Sequence, residues 1–265
     1  MSRERRLSFG EVAELYDRAR PSYPAALVDD LVVIAQLGPG RRALEVGAGT
    51  GKATTLLAAR GAEVVALEPS PEMAAVARRR CARYPDVEIE EVEFEHWQPG
   101  GRRFALVYSA QAWHWISPAA RYCVAGEALV AGGTLAAFWN YPDWDVCELR
   151  DELRDAYRRT APESLVDGPM NPGGRSPSER WSRWADEIAA SARFASPEVR
   201  RYRSSREYST AEYVALLRTH SDHLILADST REALLSAVAG VLDADRGKLA
   251  LTYVTSLCLA RARCA

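Results

Sequence analysis

The sequence predicts an α/β protein, a doubly wound and mostly parallel sheet with helices on both faces. Two observations predict it. From Arg41 onward, short apolar runs alternate with amphipathic segments, the order of strands joined by crossover helices. The first apolar run then ends in the glycine-rich turn Gly47-Ala48-Gly49-Thr50-Gly51, at a strand-to-helix junction. Composition permits the assignment: of 265 residues, 48% are hydrophobic and 26% charged, enough for one large core.

Residues 10–37 hold two helical patterns separated by Pro21 and Pro24. Residues 42–46 form a short apolar strand, and 52–59 a helix. A second strand spans 63–67. The helix over 71–83 starts with proline at its first turn, where a missing N–H costs nothing. Strands follow at 87–92 and 104–109, then a helix at 118–130 closed by Gly132, then a fifth strand at 134–139. The rhythm breaks over 142–195. That stretch holds an amphipathic helix at 143–160, a loop rich in Pro, Gly and Ser at 161–178, and a tryptophan-bearing helix at 179–192. It reads as an insertion between strands five and six that caps the sheet, with residues 1–37 as an N-terminal helical lid. A strand at 199–204, helices at 210–218 and 230–242, and a last strand at 248–260 complete one domain over 1–265.

Charge narrows the function classes. Thirty-four basic residues against 36 acidic ones leave a net charge of −2, with no broad field for nucleic acid. Only Lys52 and Lys248 are lysine; the arginine and alanine richness points to GC-rich coding. The run Arg193, Arg200, Arg201, Arg203 and Arg206 is interrupted by acids and reads as a solvated strand face. Five scattered cysteines without a CxxC read as free thiols of a reducing compartment. The charged start carries no signal-peptide pattern, and no apolar run reaches the length of a membrane span, so the expectation is a cytoplasmic protein.

The turn Glu45-Val46-Gly47-Ala48-Gly49-Thr50-Gly51-Lys52 carries the sharpest chemical signal. Its glycines permit a tight turn and close approach of a ligand, and the helix N-terminus offers free N–H groups. Spacing separates the ligand classes. A P-loop encloses four residues between its glycines and follows its lysine with Ser or Thr; Gly47 and Gly51 enclose three, and Ala53 follows Lys52. The dinucleotide pattern needs glycine where Lys52 stands. A turn without any ligand is the bland reading. Against it, Glu68 ends the second strand 21 residues after Gly47, where a carboxylate accepts both hydroxyl hydrogen bonds of a ribose.

The strand Leu44-Glu45-Val46-Gly47-Ala48-Gly49-Thr50-Gly51 resembles motif I of class I S-adenosylmethionine-dependent methyltransferases, a Rossmann-like fold. The run from Glu68-Pro69 to Met73 is similar to the second motif of that family. The resemblance implies S-adenosylmethionine as cofactor and S-adenosylhomocysteine as product. It places Glu45 near the amino group, Gly47, Ala48, Gly49 and Gly51 around the methionine and ribose, and Glu68, Pro69 and Met73 along ribose and adenine. Phe94 and Glu95 would flank adenine, and Ser109, which ends the fourth strand, and Gln111 would contact the cofactor at the mouth of the cleft. The segment Ala110-Gln111-Ala112-Trp113-His114-Trp115 resembles a small-molecule subgroup that includes the trans-aconitate methyltransferases. So do Tyr16–Pro24 and Leu217-Arg218-Thr219-His220-Ser221. There the leading helix folds over the cofactor, which makes Tyr16 and Arg20 candidate contacts to its carboxylate. The family also implies an antiparallel last strand.

Methyl transfer mainly needs the acceptor aligned and water excluded, and a base only where the acceptor must lose a proton. His114, beside the expected reaction centre, is the candidate catalytic residue; a structural histidine bonded to a loop carbonyl is the alternative. Tyr23, Trp113, His114, Trp139, Tyr141 and Trp144 are the candidate acceptor-binding residues, since aromatic walls suit planar or apolar acceptors and cationic methyl groups. Trp115 and Trp139 serve equally as sheet–helix packing, and Trp181 and Trp184, at an i, i+3 spacing, as packing of the cap. His220 and His223 have metal-ligand spacing but no convincing further ligand, so no metal is expected, although either histidine fits the lid side of the pocket. The resulting expectation is methyl transfer to O, N or an aromatic ring carbon of a small organic acceptor in bacterial specialised metabolism. No nucleic-acid or membrane partner is expected. The alternative is a protein that binds the cofactor without transferring the methyl group.

Overall fold

The computed structural model describes residues 13–168, 170–174 and 182–263. Residues 1–12 of the expected lid, Trp181 and Cys264 lie outside the described residues. Seven strands form one sheet in the order β3-β2-β1-β4-β5-β7-β6. These are β1 Ala43–Val46, β2 Val64–Leu67, β3 Val87–Glu90, β4 Phe104–Ala110, β5 Leu129–Pro142, β6 Glu198–Ser209 and β7 Lys248–Arg261. β1 pairs in parallel with β2 and β4, β2 with β3, and β4 with β5. β7 runs antiparallel to both β5 and β6. The chain builds outward from β1 to β3, then crosses to β4 on the other side. That reversal opens a crevice at the carboxyl ends of β1 and β4, where doubly wound sheets bind ligands.

Side-chain alternation explains why β1, β2 and β4 read as unbroken apolar runs. Leu44, Val46, Val65, Val107 and Ala137 enter one core cluster, while Ala43, Val64, Ala66, Leu106 and Ala136 enter another. Both faces are buried, so neither needs polar alternation. Helices Ala25–Ala35 and Lys52–Ala58 contribute Leu27, Leu31, Ala53 and Leu57 to the second cluster. Helices Pro118–Ala128 and Ser182–Ala190 contribute Tyr122, Ala125, Trp184 and Ile188 to the first. Ser70 caps helix Pro71–Cys81 by accepting from the Met73 N–H, with Pro71 at the first position.

Several boundaries differ from the sequence reading. The helix expected to run to residue 130 stops at Ala128, and β5 starts at Leu129. Its pairing with β4 jumps from Leu129 to Thr134, so Gly132, with φ +69°, sits in an irregularity of the strand rather than at a helix end. β6 extends to Ser209 and alternates exposed with partly covered residues. Arg201 and Arg203 are exposed, whereas Arg200 and Tyr202 reach inward to Asp30. The expected helix over 143–160 is instead a 3-10 turn, Trp144–Val146, followed by helix Arg150–Thr160.

The segment between β5 and β6 packs as two parts. Leu153, Tyr157, Leu165 and Val166 join a cluster with helices Thr210–Leu217 and Asp228–Ala244, while Trp184 and Ile188 sit against the sheet face carrying Trp139. Among the described residues no helix is long and apolar enough to cross a membrane. Cys81, Cys123, Cys147 and Cys258 carry free thiols.

Candidate active site

A cavity of about 500 Å³ opens at the carboxyl ends of β1, β2, β4 and β5. Its floor is the glycine turn. Gly47 has φ +73°, and a Cβ there would lie 2.5 Å from Ala112 Cβ, so only glycine lets β1 and the turn after β4 come together. Gly49 and Ala48 line the cavity, and no atom lies within 4 Å of where a Cβ on Gly49 would project.

Glu45 lies on the cavity wall with no exposed surface. Its Oε2 accepts from Thr54 Oγ1 at 2.5 Å and from the Tyr108 hydroxyl at 2.8 Å. Oε1 is buried and has no hydrogen-bond partner. Burial pushes the Glu45 carboxyl up to about 7; the Thr54 and Tyr108 bonds oppose that shift, and the charge of Glu68 adds to it. Glu68 is held differently. The Gly49 N–H donates to Oε2 at 2.7 Å and the Ser70 N–H to Oε1 at 2.9 Å, which aims the carboxylate at the cavity rim. Pro69, Met73, Phe94 and Glu95 line the same end. Phe94 is backed by Trp97 and Trp113, and Glu95 Oε1 accepts from the Ser117 N–H at 3.1 Å.

At the other end, Gln111 follows β4 in the left-handed region, φ +63°, with its N–H on Phe138 O and its Nε2 on Asn140 O. A non-glycine residue there stores strain that the surrounding bonds must hold. His114 lines the cavity, and the Trp139 indole N–H donates to its Nδ1 at 3.2 Å. An indole can only donate, so the neutral His114 ring carries its proton on Nε2. Trp139 also stacks on Trp184, with centroids 5.0 Å apart and planes at 17°. Arg121 locks this arrangement: it is 2% exposed, pairs with Glu187 at 3.0 Å, and lies 5.2 Å from the Trp184 ring. Tyr16, Arg20, Tyr23 and Tyr141 complete the wall. Arg20 stacks over Tyr16 and donates to Thr219 through Nε at 2.9 Å and Nη2 at 2.7 Å, tying helix Ala13–Ala19 to the turn at 217–221.

Four expected site residues lie outside the cavity lining. Gly51 is the N-cap of helix Lys52–Ala58, where a Cβ would meet Ala77 and Cys81 at 3.3 Å, so it serves helix packing. Ser109 is fully buried and donates to Val46 O at 2.7 Å, joining β4 to β1. Trp113 is turned into the core by the 3-10 turn Trp113–Trp115, which brings His114 and Trp115 to the cavity instead. Trp144 is buried in the cluster beneath helix Arg150–Thr160. The cavity also gathers Lys52, Met170, Trp184, His220, Ser221 and Asp222. Lys52 was readable as an unusual charge directly after the glycine turn, and burial pushes its amine down to about 8. No signal marked Met170.

Residues 43–130 match a family described as a methyltransferase domain, a span that runs from β1 through helix Pro118–Ala128 and contains the glycine turn, Glu68 and His114. Uncharacterized methyltransferases of Mycobacterium bovis and Mycobacterium tuberculosis are 40% identical over 143 residues, 53% of this chain. The chain spans 55% of the length of those relatives. Among solved structures, a protein of Anaeromyxobacter dehalogenans superposes with a TM-score of 0.59 at 20% identity, covering 93% of this chain and 99% of that one. A phosphoethanolamine N-methyltransferase of Haemonchus contortus, solved with phosphomonomethylethanolamine and S-adenosylhomocysteine, superposes at 0.53 with 15% identity, covering 97% and 57%. These structures share the fold: a seven-stranded, mostly parallel Rossmann-like sheet.

Proposed function

We propose that the protein is an S-adenosylmethionine-dependent methyltransferase whose acceptor is a small organic molecule. The observation that carries the reading is Glu45 Oε1, a carboxylate oxygen buried in the cavity wall with no hydrogen-bond partner. A buried acceptor of that kind requires a donor, and the ammonium of an amino-acid ligand provides a charged one. The domain match over residues 43–130 supports the same cofactor. When bound, S-adenosylmethionine supplies a methyl group already activated on a sulfonium.

The chain's own residues then divide the work. Glu45 binds the ammonium, and Glu68, oriented by two backbone N–H groups, accepts from the ribose hydroxyls. Met73 and Phe94 flank the adenine, with Glu95 at its edge. Ala48 and Gly49 let the backbone approach. Tyr16, Arg20 and Lys52 close over the carboxylate side. Tyr23, His114, Trp139 and Tyr141, with Trp115 and Trp184, form the acceptor wall and exclude water; residues 13–37 and 142–195 act as its lid and cap. His114, whose Nδ1 accepts from the Trp139 indole N–H, stands in this wall as the residue beside the reacting atom of the acceptor. A subgroup related to the trans-aconitate methyltransferases, a place in bacterial specialised metabolism and a cytoplasmic location are part of this reading.

Calorimetric titration with S-adenosylmethionine, S-adenosylhomocysteine and NAD tests it. Micromolar binding of the first two without heat from NAD is the expected result. Glu68→Ala should weaken S-adenosylhomocysteine by tenfold or more, the worth of hydrogen bonds to a charged group. NAD binding alone, or silence from all three, would remove the proposal.

A further inference from the structure

The turn at 217–221 brings His220 to the cavity wall, beside Ser221 and Asp222. His220 is 4% exposed, and neither Nδ1 nor Nε2 has a hydrogen-bond partner. Buried polar atoms are nearly always satisfied, so two orphaned nitrogens on a residue of the cavity wall point to a ligand.

The neighbours of His220 are already committed. Arg20 spends Nε and Nη2 on Thr219. His223, its ring 5.3 Å away, shares Nδ1 with Asp222 Oδ1 at 2.8 Å and Nε2 with the Tyr157 hydroxyl at 2.9 Å. Asn171 donates to the other Asp222 oxygen at 3.2 Å. Ligand-type atoms of His220, Asp222 and His223 lie within 4.8 Å of one another, a spacing that a metal ion can use. Both His223 nitrogens are occupied, however, and a cation would have to displace one of these buried partners to gain that ligand. Burial first, then the charges of Arg20 and His223, hold the His220 ring well below the ordinary histidine range, with Asp222 opposing them. The ring is therefore neutral, and a neutral imidazole offers one N–H donor and one lone pair. A hydroxyl or an uncharged amine matches both. A carboxylate matches only the donor and sets a second anion beside Asp222.

We infer that His220 is the polar end of the acceptor subsite and selects a small molecule carrying an uncharged hydroxyl or amine. The aromatic side chains of the same cavity, Trp115, Tyr141 and Trp184 among them, take up its apolar body. The inference rests on the methyltransferase reading, and its test separates the two.

Phenol, toluene and benzoate are titrated into protein saturated with S-adenosylhomocysteine, with calorimetry for affinity and ring ¹⁵N signals for His220. Phenol should bind at least tenfold more tightly than toluene or benzoate and shift the His220 signals. His220→Leu should erase that preference while leaving the S-adenosylhomocysteine Kd within twofold, and His220→Gln, which keeps a donor and an acceptor, should retain part of it. Equal binding of phenol and toluene, a benzoate preference, no phenol binding, or a preference that survives in His220→Leu would each overturn the inference. So would zinc binding at micromolar concentration that is lost in His220→Leu. Where S-adenosylhomocysteine itself fails to bind, the cofactor reading fails, and the same three probes are compared on the free protein.

Discussion

Two glutamates 23 positions apart in the chain are held by different donors, Glu45 by the Thr54 and Tyr108 hydroxyls and Glu68 by the Gly49 and Ser70 backbone N–H groups. Glu45 gives a pH signature with a defined sign. Its folded pKa of about 7 lies above the ordinary 4.5, so its stabilising contribution is complete below about 4.5 and is lost as pH rises through 7. On the order of 3 kcal/mol is at stake for that shift. Urea unfolding of the ligand-free protein should therefore show wild type losing stability relative to Glu45→Gln between pH 5 and 8, and parallel curves would place the carboxyl in water. The spacing of Glu45, Gly47 and Glu68 was legible because each sits at a strand end, whose position the apolar pattern defines. Trp113 and Ser109 were misassigned for a different reason. A strand end is visible in sequence, but the 3-10 turn that sends Trp113 inward and His114 outward depends on the core it packs against.

At the scale of elements, the Trp139–Trp184 stack and the Arg121–Glu187 pair join helix Ser182–Ala190 to distant parts of the chain. Arg121 is deeply buried while Glu187 keeps some contact with solvent, so Arg121→Met should cost about 2 kcal/mol, the range of a hydrogen-bonded charge. Chemical denaturation reads that loss directly. An unchanged midpoint would mean that aromatic packing alone holds the helix. The sequence reads this element as a tryptophan-bearing helix over 179–192, yet takes the whole 142–195 stretch as one cap. Its two parts are told apart by their packing partners: helix Arg150–Thr160 against Asp228–Ala244, and Trp184 against the sheet.

For the whole molecule, one cavity is lined by β1, β2, β4 and β5 together with the leading helix and the turn at 217–221. A ligand that bridges these parts should stabilise all of them together. At one hundred times its Kd, S-adenosylhomocysteine should add about 2.7 kcal/mol to unfolding, seen as a single shifted transition by thermal melting. A melt in which only part of the signal moves would show that the ligand touches one half alone. The alternation of apolar runs with amphipathic segments, the glycine turn and the placement of Glu68 were determined by sequence alone, because strand length, helix period and backbone freedom are local properties. The strand order, the burial of Glu45 Oε1 and the meeting of Arg20 with Thr219 were decided only by the tertiary structure. His220 belongs with these: it stands in a linker far along the chain from the glycine turn, and desolvation, which gives its two free nitrogens their meaning, exists only once the parts have closed around a common cavity.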